Sequence, residues 1–310
     1  MRRLIPILSA CLLGGALPAL AQETQPAVET GDVPAATLDL PAEAQTTEPQ
    51  AAEGGAVPPL AELRDSATKL AEQIRKALAA GKEPPLHSDL AASLLIYDAF
   101  NRDVLRTLPA DLATVKATCT PVMEAGLGYG RYLVGKKTGA DAAAAKIQDE
   151  LALAFAAEDL CAKRTLALTA AGLEGKDKKA LQAAAETVAP MRTGALRIEI
   201  GMLRAQSDEA VNQANKMLLL GALREEPETL AESLTLAQRR TLVDEIDAAA
   251  GKVEPGIADQ LGQLKAYFTK ESCTGLCAIG PATPKPMTVA APVSGPVDKP
   301  APPRKLDPGR

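Results

Sequence analysis

The chain has 310 residues and a formal net charge of −5, with 46% hydrophobic residues but only 2% aromatic ones. A chain that is this apolar and this poor in aromatic residues draws on alanine and leucine, which favour helices over strands. The single histidine excludes metal sites that need several histidines, and any Ser-His or Cys-His mechanism would have to use it.

The first 21 residues have the features of a secretory signal peptide. Two arginines precede an apolar run, and Ala19-Leu20-Ala21 ends that run. An alternative cut lies before Cys11, because Leu8-Ser9-Ala10-Cys11 is similar to a bacterial lipobox. The sequence therefore predicts a periplasmic or secreted protein without a transmembrane segment in the mature chain, and lipid anchoring through Cys11 is the alternative.

Two Pro-rich segments flank the central part of the chain. Residues 22–59 contain seven acidic residues and no Lys or Arg, whereas residues 280–310 contain nine prolines and carry a net charge of +3. Such segments bury too little apolar surface to offset the entropy of ordering them, so both are predicted to be disordered. The basic tail is expected to be solvated, and a weak contact with an anionic surface is the alternative. Residues 60–279 are the predicted folded domain.

Apolar residues within 60–279 recur at the spacing of helices. Stops at Gly81, Pro109 and Gly139, and first-turn prolines at Pro227 and Pro255, divide this pattern into about eight helices. The short breaks between them favour an all-α, compact antiparallel bundle. The predicted core stripe of the second helix contains Leu90, Leu94, Tyr97, Val104 and Leu108.

Four cysteines remain after residue 21, and an even number in an exported chain predicts two disulfides. If Cys119 and Cys161 join antiparallel neighbours, the turn between them falls near residue 140, where Gly139-Ala140 stands. Cys273 and Cys277 would then close a small loop after the last helix. A link from Cys119 to Cys273 or Cys277 stays open as an alternative.

Three glycines at positions 126, 128 and 130, followed by Gly135-Lys136, are similar to a P-loop. Lys137 stands where a P-loop has the Ser or Thr that binds Mg²⁺, and no strand precedes the glycines. With Cys119 bonded to Cys161, the glycines would lie inside a helix and indicate a close helix crossing. We therefore expect no nucleotide, and the sequence indicates no cofactor, no metal site and no nucleic-acid partner.

Aromatic residues and two arginines on the second and third predicted helices are candidates for an inter-helix pocket that would bind a small ligand. The competing interpretation is that the aromatic residues are ordinary core residues. The six candidates are Tyr97, Phe100, Arg102, Tyr129, Arg131 and Tyr132.

Other chemistry-bearing residues favour structural roles. His87, Ser88 and Asp89 are consecutive and so cannot form a catalytic triad, which leaves a helix cap at Ser88 or Asp89 and an exposed His87. Acidic clusters at 225–228 and 244–247 lack the spacing of a calcium loop and are expected on solvated helix faces. The sequence predicts no catalytic residue.

The segment Leu234-Thr235-Leu236-Ala237-Gln238-Arg239 resembles the LTxxQ motif of small periplasmic ATP-independent chaperones. This resemblance covers six residues and implies a holdase that binds unfolded clients. Thr235 and Gln238 also have the spacing of a capping box at a helix start.

These observations predict an exported, non-catalytic helical protein that acts through contacts with another protein of the cell envelope. A single folded core without an assembled nucleophile, base or metal set supports this prediction, as do two flanking arms of opposite charge. The alternatives are a periplasmic holdase, and a small-ligand binder or enzyme with an inter-helix pocket.

Overall fold

The computed structural model describes residues 59–136 and 139–279. The regular elements in these residues are α-helices and one short 3₁₀ helix, which confirms the all-α class. The predicted signal peptide with Cys11, residues 22–58 of the predicted leader and the predicted basic tail lie outside the described residues. The α-helices, in chain order, are α1 (Pro59–Ala79), α2 (Leu90–Ala99), α3 (Arg102–Arg106), α4 (Leu112–Val134), α5 (Ala140–Lys146), α6 (Gln148–Leu173), α7 (Lys178–Gln206), α8 (Gln213–Leu223), α9 (Pro227–Ser233), α10 (Leu236–Ala250) and α11 (Pro255–Phe268).

The described residues form eleven α-helices, whereas about eight were predicted. The difference arises because three predicted helices are each divided in two. Asn101 separates α2 from α3, since its side chain accepts a hydrogen bond from the Val104 amide at 3.2 Å. Thr235 separates α9 from α10 through a complete capping box with Gln238. The break at Ile147, between α5 and α6, has no side-chain cap. Local side-chain capping thus stops two helices that apolar periodicity alone would continue.

Helix α6 is the centre of the bundle and packs against α3, α4, α7, α8 and α9. Helices α4 and α6 run antiparallel, because a disulfide joins Cys119 to Cys161 with their Cα atoms 5.6 Å apart and Gly126 lies opposite Glu158. The turn between them includes Gly139, whose φ of +72° is the left-handed conformation that glycine adopts most readily.

The glycines of α4 allow neighbouring helices to come close. A Cβ atom on Gly126 would lie 2.0 Å from Oε1 of Glu158, and one on Gly128 would lie 2.6 Å from Cγ2 of Ile74. Larger residues at these positions would push α4 away from α6 on one side and from α1 on the other. This region is therefore a close helix crossing, and it does not have the loop geometry of a phosphate-binding site.

The last described segment folds back onto the bundle after α11. A disulfide joins Cys273 to Cys277 around a short 3₁₀ helix, Gly275–Ala278. The buried guanidinium of Arg192 donates to the carbonyl oxygens of Leu276 at 2.7 Å and Ile279 at 2.9 Å. These bonds hold Ile279, the last described residue, against the bundle.

Candidate functional site

Helix α2 is apolar on all sides but covered on only one. Ser93 and Asp98 are the only clearly polar residues in its ten-residue sequence. Ile96 and Ala99 are fully buried, and α2 packs mainly against α1. A helix that is apolar all round is normally enclosed on all sides. The outer side of α2 therefore has the composition of a covered surface.

The uncovered side contains three large side chains, which we call the α2 face. Leu90, Leu94 and Tyr97 are 79%, 62% and 52% exposed, and their spacing of four and three residues places them on one side of the helix. Among the described residues, the other large apolar side chains with such exposure are Val134 and Met217, which lie on different helices. Exposed apolar surface is thus concentrated on α2. Periodicity had assigned Leu90, Leu94 and Tyr97 to the core, and that assignment is wrong.

A groove, the α2 groove, runs beside this face between α2, α1 and the loop that joins them. Its cavity volume of about 460 Å³ is within the usual range for binding clefts. The loop supplies one wall, α2 the other, and α1 contributes a single residue. The lining residues are Gln73, Pro84, Pro85, Leu86, Ser88, Asp89, Ala91, Ala92 and Leu95.

The rim of the α2 face is acidic. Asp89 is the N-cap of α2 and accepts a hydrogen bond from the Ala92 amide at 3.0 Å. Asp98 is exposed in the last turn, and within the described residues it takes part in no ion pair or hydrogen bond. A carboxylate at the C-terminal end of a helix interacts unfavourably with the helix dipole. A cation brought to this end of α2 would therefore stabilise it.

The loop wall is anchored by His87. Its ring Nδ1 lies 2.8 Å from Oε1 of Glu150 and its Nε2 lies 3.0 Å from Oδ2 of Asp149. The hydrogen bond with Glu150 and the charges of both carboxylates hold the pKa of His87 above 6.5, although partial burial opposes this. The expectation of a free, exposed His87 is wrong, because the first turn of α6 lies against it. Two further bonds secure the loop, from Tyr129 Oη to the Pro85 carbonyl at 2.8 Å and from Lys146 to Glu83.

The six candidate pocket residues lie in different surroundings. None of them lines the α2 groove, and Tyr97 faces solvent on the α2 face. The other three aromatic residues are buried in the core, as the competing interpretation holds, and Arg131 is exposed on α4. Arg102 is bonded to Glu225. Helical spacing places these three rings, of Phe100, Tyr129 and Tyr132, in the close-packed interior of the bundle.

Several acidic residues that were expected on solvated helix faces are ion-paired, whereas Glu228 and Asp244 are exposed as expected. Glu225 accepts hydrogen bonds from Arg102 and Arg106, which ties α3 to the turn between α8 and α9. Glu226 in the same turn has a left-handed φ of +50°, and its carboxylate lies 2.7 Å from Arg164. Sequence spacing could not reveal these pairs, because the partners lie between about 60 and 120 residues away along the chain.

A buried ionic cluster lies between α6 and α7. Lys163 Nζ is 2.8 Å from Asp159 and 2.9 Å from Glu199, and it donates to the Glu225 carbonyl at 2.8 Å. Burial raises the pKa of Glu199, whereas the two carboxylates raise the pKa of Lys163 against the effect of burial. All three side chains are buried, so this cluster anchors the helices and is closed to solutes.

A second cleft, between α5, α6, α7 and α8, has a volume of only about 40 Å³. This space holds a few water molecules and is far below the size of a usual ligand site. Its walls are largely apolar and include five alanines beside Leu151, Phe155 and Leu219. The α2 face and the α2 groove are therefore the better candidate for a functional site.

No protein family, curated protein or solved structure matches the chain. Within the described residues, no helix combines the length and apolarity that crossing a bilayer requires. The same residues contain no cluster of three or more side chains suited to holding a metal ion. The geometry and chemistry of the α2 face and the α2 groove are therefore the basis for a proposed function.

Proposed function

We propose that this is an extracytoplasmic, non-catalytic helical protein that binds a partner protein through the α2 face and the α2 groove. One observation carries the proposal: a helix apolar on every side leaves Leu90, Leu94 and Tyr97 exposed. Contiguous exposed apolar surface with a polar rim is typical of interaction sites. Two disulfides in the folded part support an oxidising compartment outside the cytoplasm.

The partner that fits this surface is an amphipathic helix with basic residues beside its apolar stripe. Its stripe would pack on the α2 face, as helices pack into apolar grooves in other recognition systems. Its basic flanks would meet Asp89 and Asp98, and no Lys or Arg of residues 88–100 opposes them. Burying the exposed fractions of Leu90 and Leu94 would stabilise such a complex by about 2 to 4 kcal/mol before the costs of association.

A synthetic peptide provides the direct test. The probe is a fluorescently labelled helical peptide with leucines at i, i+4 and i+7 and lysines on both sides of that stripe, and fluorescence anisotropy measures its binding to the full chain. We expect Leu94→Asp to weaken binding at least tenfold, because the substitution places a carboxylate in the apolar contact. Met217→Asp is the matched control, since Met217 is 49% exposed on α8. Equal affinities for wild type and Leu94→Asp would contradict the proposal.

Two alternative occupants of the α2 face, the chain's own tail and a second copy of the chain, can be distinguished from a partner helix by experiment. The chain's own tail, residues 280–310, is basic and could extend about 100 Å from its point of exit. If the tail covers the face, its deletion will strengthen peptide binding. If a second copy covers the face, sedimentation will show a wild-type dimer that Leu94→Asp dissociates.

The holdase is the second candidate function, and the exposed α2 face is the observation that favours it. Its LTxxQ-like segment forms a capping box within this chain, so the motif has a structural explanation of its own. Suppression of the aggregation of an unfolded client by wild type, lost in Leu94→Asp but retained in Met217→Asp, would support a holdase over a specific partner.

A further inference from the structure

The position of His87 between two carboxylates makes the α1–α2 loop sensitive to one proton. Each ring nitrogen faces a carboxylate oxygen, of Glu150 at 2.8 Å and of Asp149 at 3.0 Å. Only the imidazolium form has an N–H on both nitrogens and can donate to both oxygens. A neutral ring must present a lone pair to one of the carboxylates, so that contact changes from attraction to repulsion.

The two carboxylates are themselves held rigidly. Asp149 accepts hydrogen bonds from Asn212 at 3.0 Å and from Asn215 at 2.6 Å, which connects it to the start of α8. Glu150 is fully buried, and its Oε1 also accepts a hydrogen bond from the His87 amide at 2.7 Å. Because Asp149 is held by these asparagines and Glu150 is enclosed in the core, a change of charge on His87 acts on the loop.

Tyr129, Lys146 and Glu83 also surround the loop, but His87 is the group among them whose charge changes near neutral pH. Helix α4 contributes Tyr129, whose phenol has its pKa raised by burial and by the charge of Glu150 and so stays protonated. Lys146 from α5 is paired with Glu83 of the loop, and the pairing raises the pKa of Lys146 and lowers the pKa of Glu83. Tyr129 therefore stays neutral, and the pair of Lys146 and Glu83 keeps its charges across neutral pH.

The same loop forms the outer wall of the α2 groove. Pro84, Pro85 and Leu86 line the groove immediately before His87, and Asp89, two residues after it, caps α2. A loop held down by His87 thus sets both the width of the groove and the start of the helix that carries the α2 face.

We propose that His87 is a proton-dependent latch: as imidazolium it clamps the α1–α2 loop to α6 and keeps the α2 groove formed, and on losing its proton it releases the loop. The effect of the latch on partner binding rests on the function proposed above, whereas the latch itself does not. Acidification keeps the latch closed, and it opens as the pH rises through the pKa of His87, which the neighbouring carboxylates place above 6.5.

The latch is tested first without any partner. His87 is the only histidine of the chain, so the full-length protein has a single C2–H resonance to follow by NMR. We expect a titration midpoint above 6.5 that moves back towards 6.5 in Asp149→Asn. Amide hydrogen exchange, corrected for its intrinsic pH dependence, should be at least fivefold faster in residues 82–92 at about pH 9 than at about pH 6. In His87→Gln, which cannot titrate, this ratio should be close to one.

Partner binding is tested second, with the lysine-flanked peptide and in the Glu158→Gln background, because Glu158 also titrates near neutral pH. We expect at least threefold weaker binding at about pH 9 than at about pH 6, and no such difference in His87→Gln. A His87 midpoint at 6.5 that Asp149→Asn leaves unchanged would overturn the latch. Exchange that changes with pH while peptide affinity does not would overturn the coupling. A peptide that binds at neither pH would overturn the proposed function and leave the latch standing on the NMR result.

Discussion

Glu158 makes the stability of this fold depend on pH, because its carboxyl group is buried. It lies on α6 against Gly126 of α4, and its Oε1 has no hydrogen-bond partner. Burial raises the pKa of Glu158 to about 8. At neutral pH the carboxyl group is therefore mostly protonated in the folded protein, whereas it ionises freely in the unfolded chain.

The size of the effect follows from the two pKa values. A folded-state pKa of about 8 against a usual 4.5 means that the folded protein holds this proton more tightly than the unfolded chain does. The contribution of Glu158 to the free energy of unfolding is therefore fully present below about pH 4.5 and is lost as the pH rises to about 8. One pKa unit corresponds to about 1.4 kcal/mol, so the free energy of unfolding should fall by about 4 kcal/mol between about pH 5 and about pH 8.5 through this group alone.

Glu158→Gln tests this reasoning, because glutamine keeps the shape of the side chain and cannot ionise. The free energy of unfolding is measured by urea denaturation at several pH values between about 5 and about 8.5. We expect the difference between Glu158→Gln and wild type to grow with pH, in favour of the variant, by about 4 kcal/mol. Glu62→Gln, at an exposed position on α1, is the control and should show no such growth.

A constant difference between Glu158→Gln and wild type across this pH range would contradict the raised pKa of Glu158. It would mean that the Glu158 carboxyl group ionises in the folded state as it does in water, and therefore that α4 and α6 do not enclose it. Comparison of each variant with wild type at the same pH removes the contributions of other titrating groups, His87 and Glu199 among them.

Two further predictions concern the anchors of the bundle. Replacing Cys119 and Cys161 by alanine should lower the free energy of unfolding by about 4 kcal/mol, since their disulfide closes a loop of 42 residues; a denaturation midpoint equal to that of wild type would contradict a stabilising role. Lys163→Met should cost about 3 to 5 kcal/mol, because it leaves the buried carboxylates of Asp159 and Glu199 without a counterion. Adding Glu199→Leu should recover part of that loss in the same denaturation assay, and no recovery would exclude an uncompensated Glu199 as its cause.

Helix α4 illustrates how far the sequence alone could go. Its apolar stripe, its start near Leu112 and the position of its turn partner at Gly139 follow from spacing and from residues with special backbone preferences. The Gly139 turn lies near the midpoint of Cys119 and Cys161 and so favoured their pairing, but a link from Cys119 to Cys273 or Cys277 stayed open until the structure showed the Cys119–Cys161 disulfide. These features are local or nearly local, so the sequence around them contains the required information.

Helix α2 shows where that information ends. Apolar residues on every side of α2 give no preferred face, so periodicity could not tell that Leu94 points outward and Ile96 inward. The sequence also gave no sign of the long-range contacts of His87 and Lys163, because their partners lie on elements about 60 residues away. The Lys163 contacts are in addition buried, where charged side chains are rarely found.

Patterns in the sequence were enough for the helical class and for several helix ends, because propensity, capping and turn chemistry act over a few residues. They predicted two disulfides but left open which cysteines pair. Only the tertiary structure decided which side of α2 is uncovered, that His87 is clamped between two carboxylates, and that Glu158 is buried without a partner. These properties depend on which distant surfaces meet when the helices pack, and short-range patterns do not specify that arrangement.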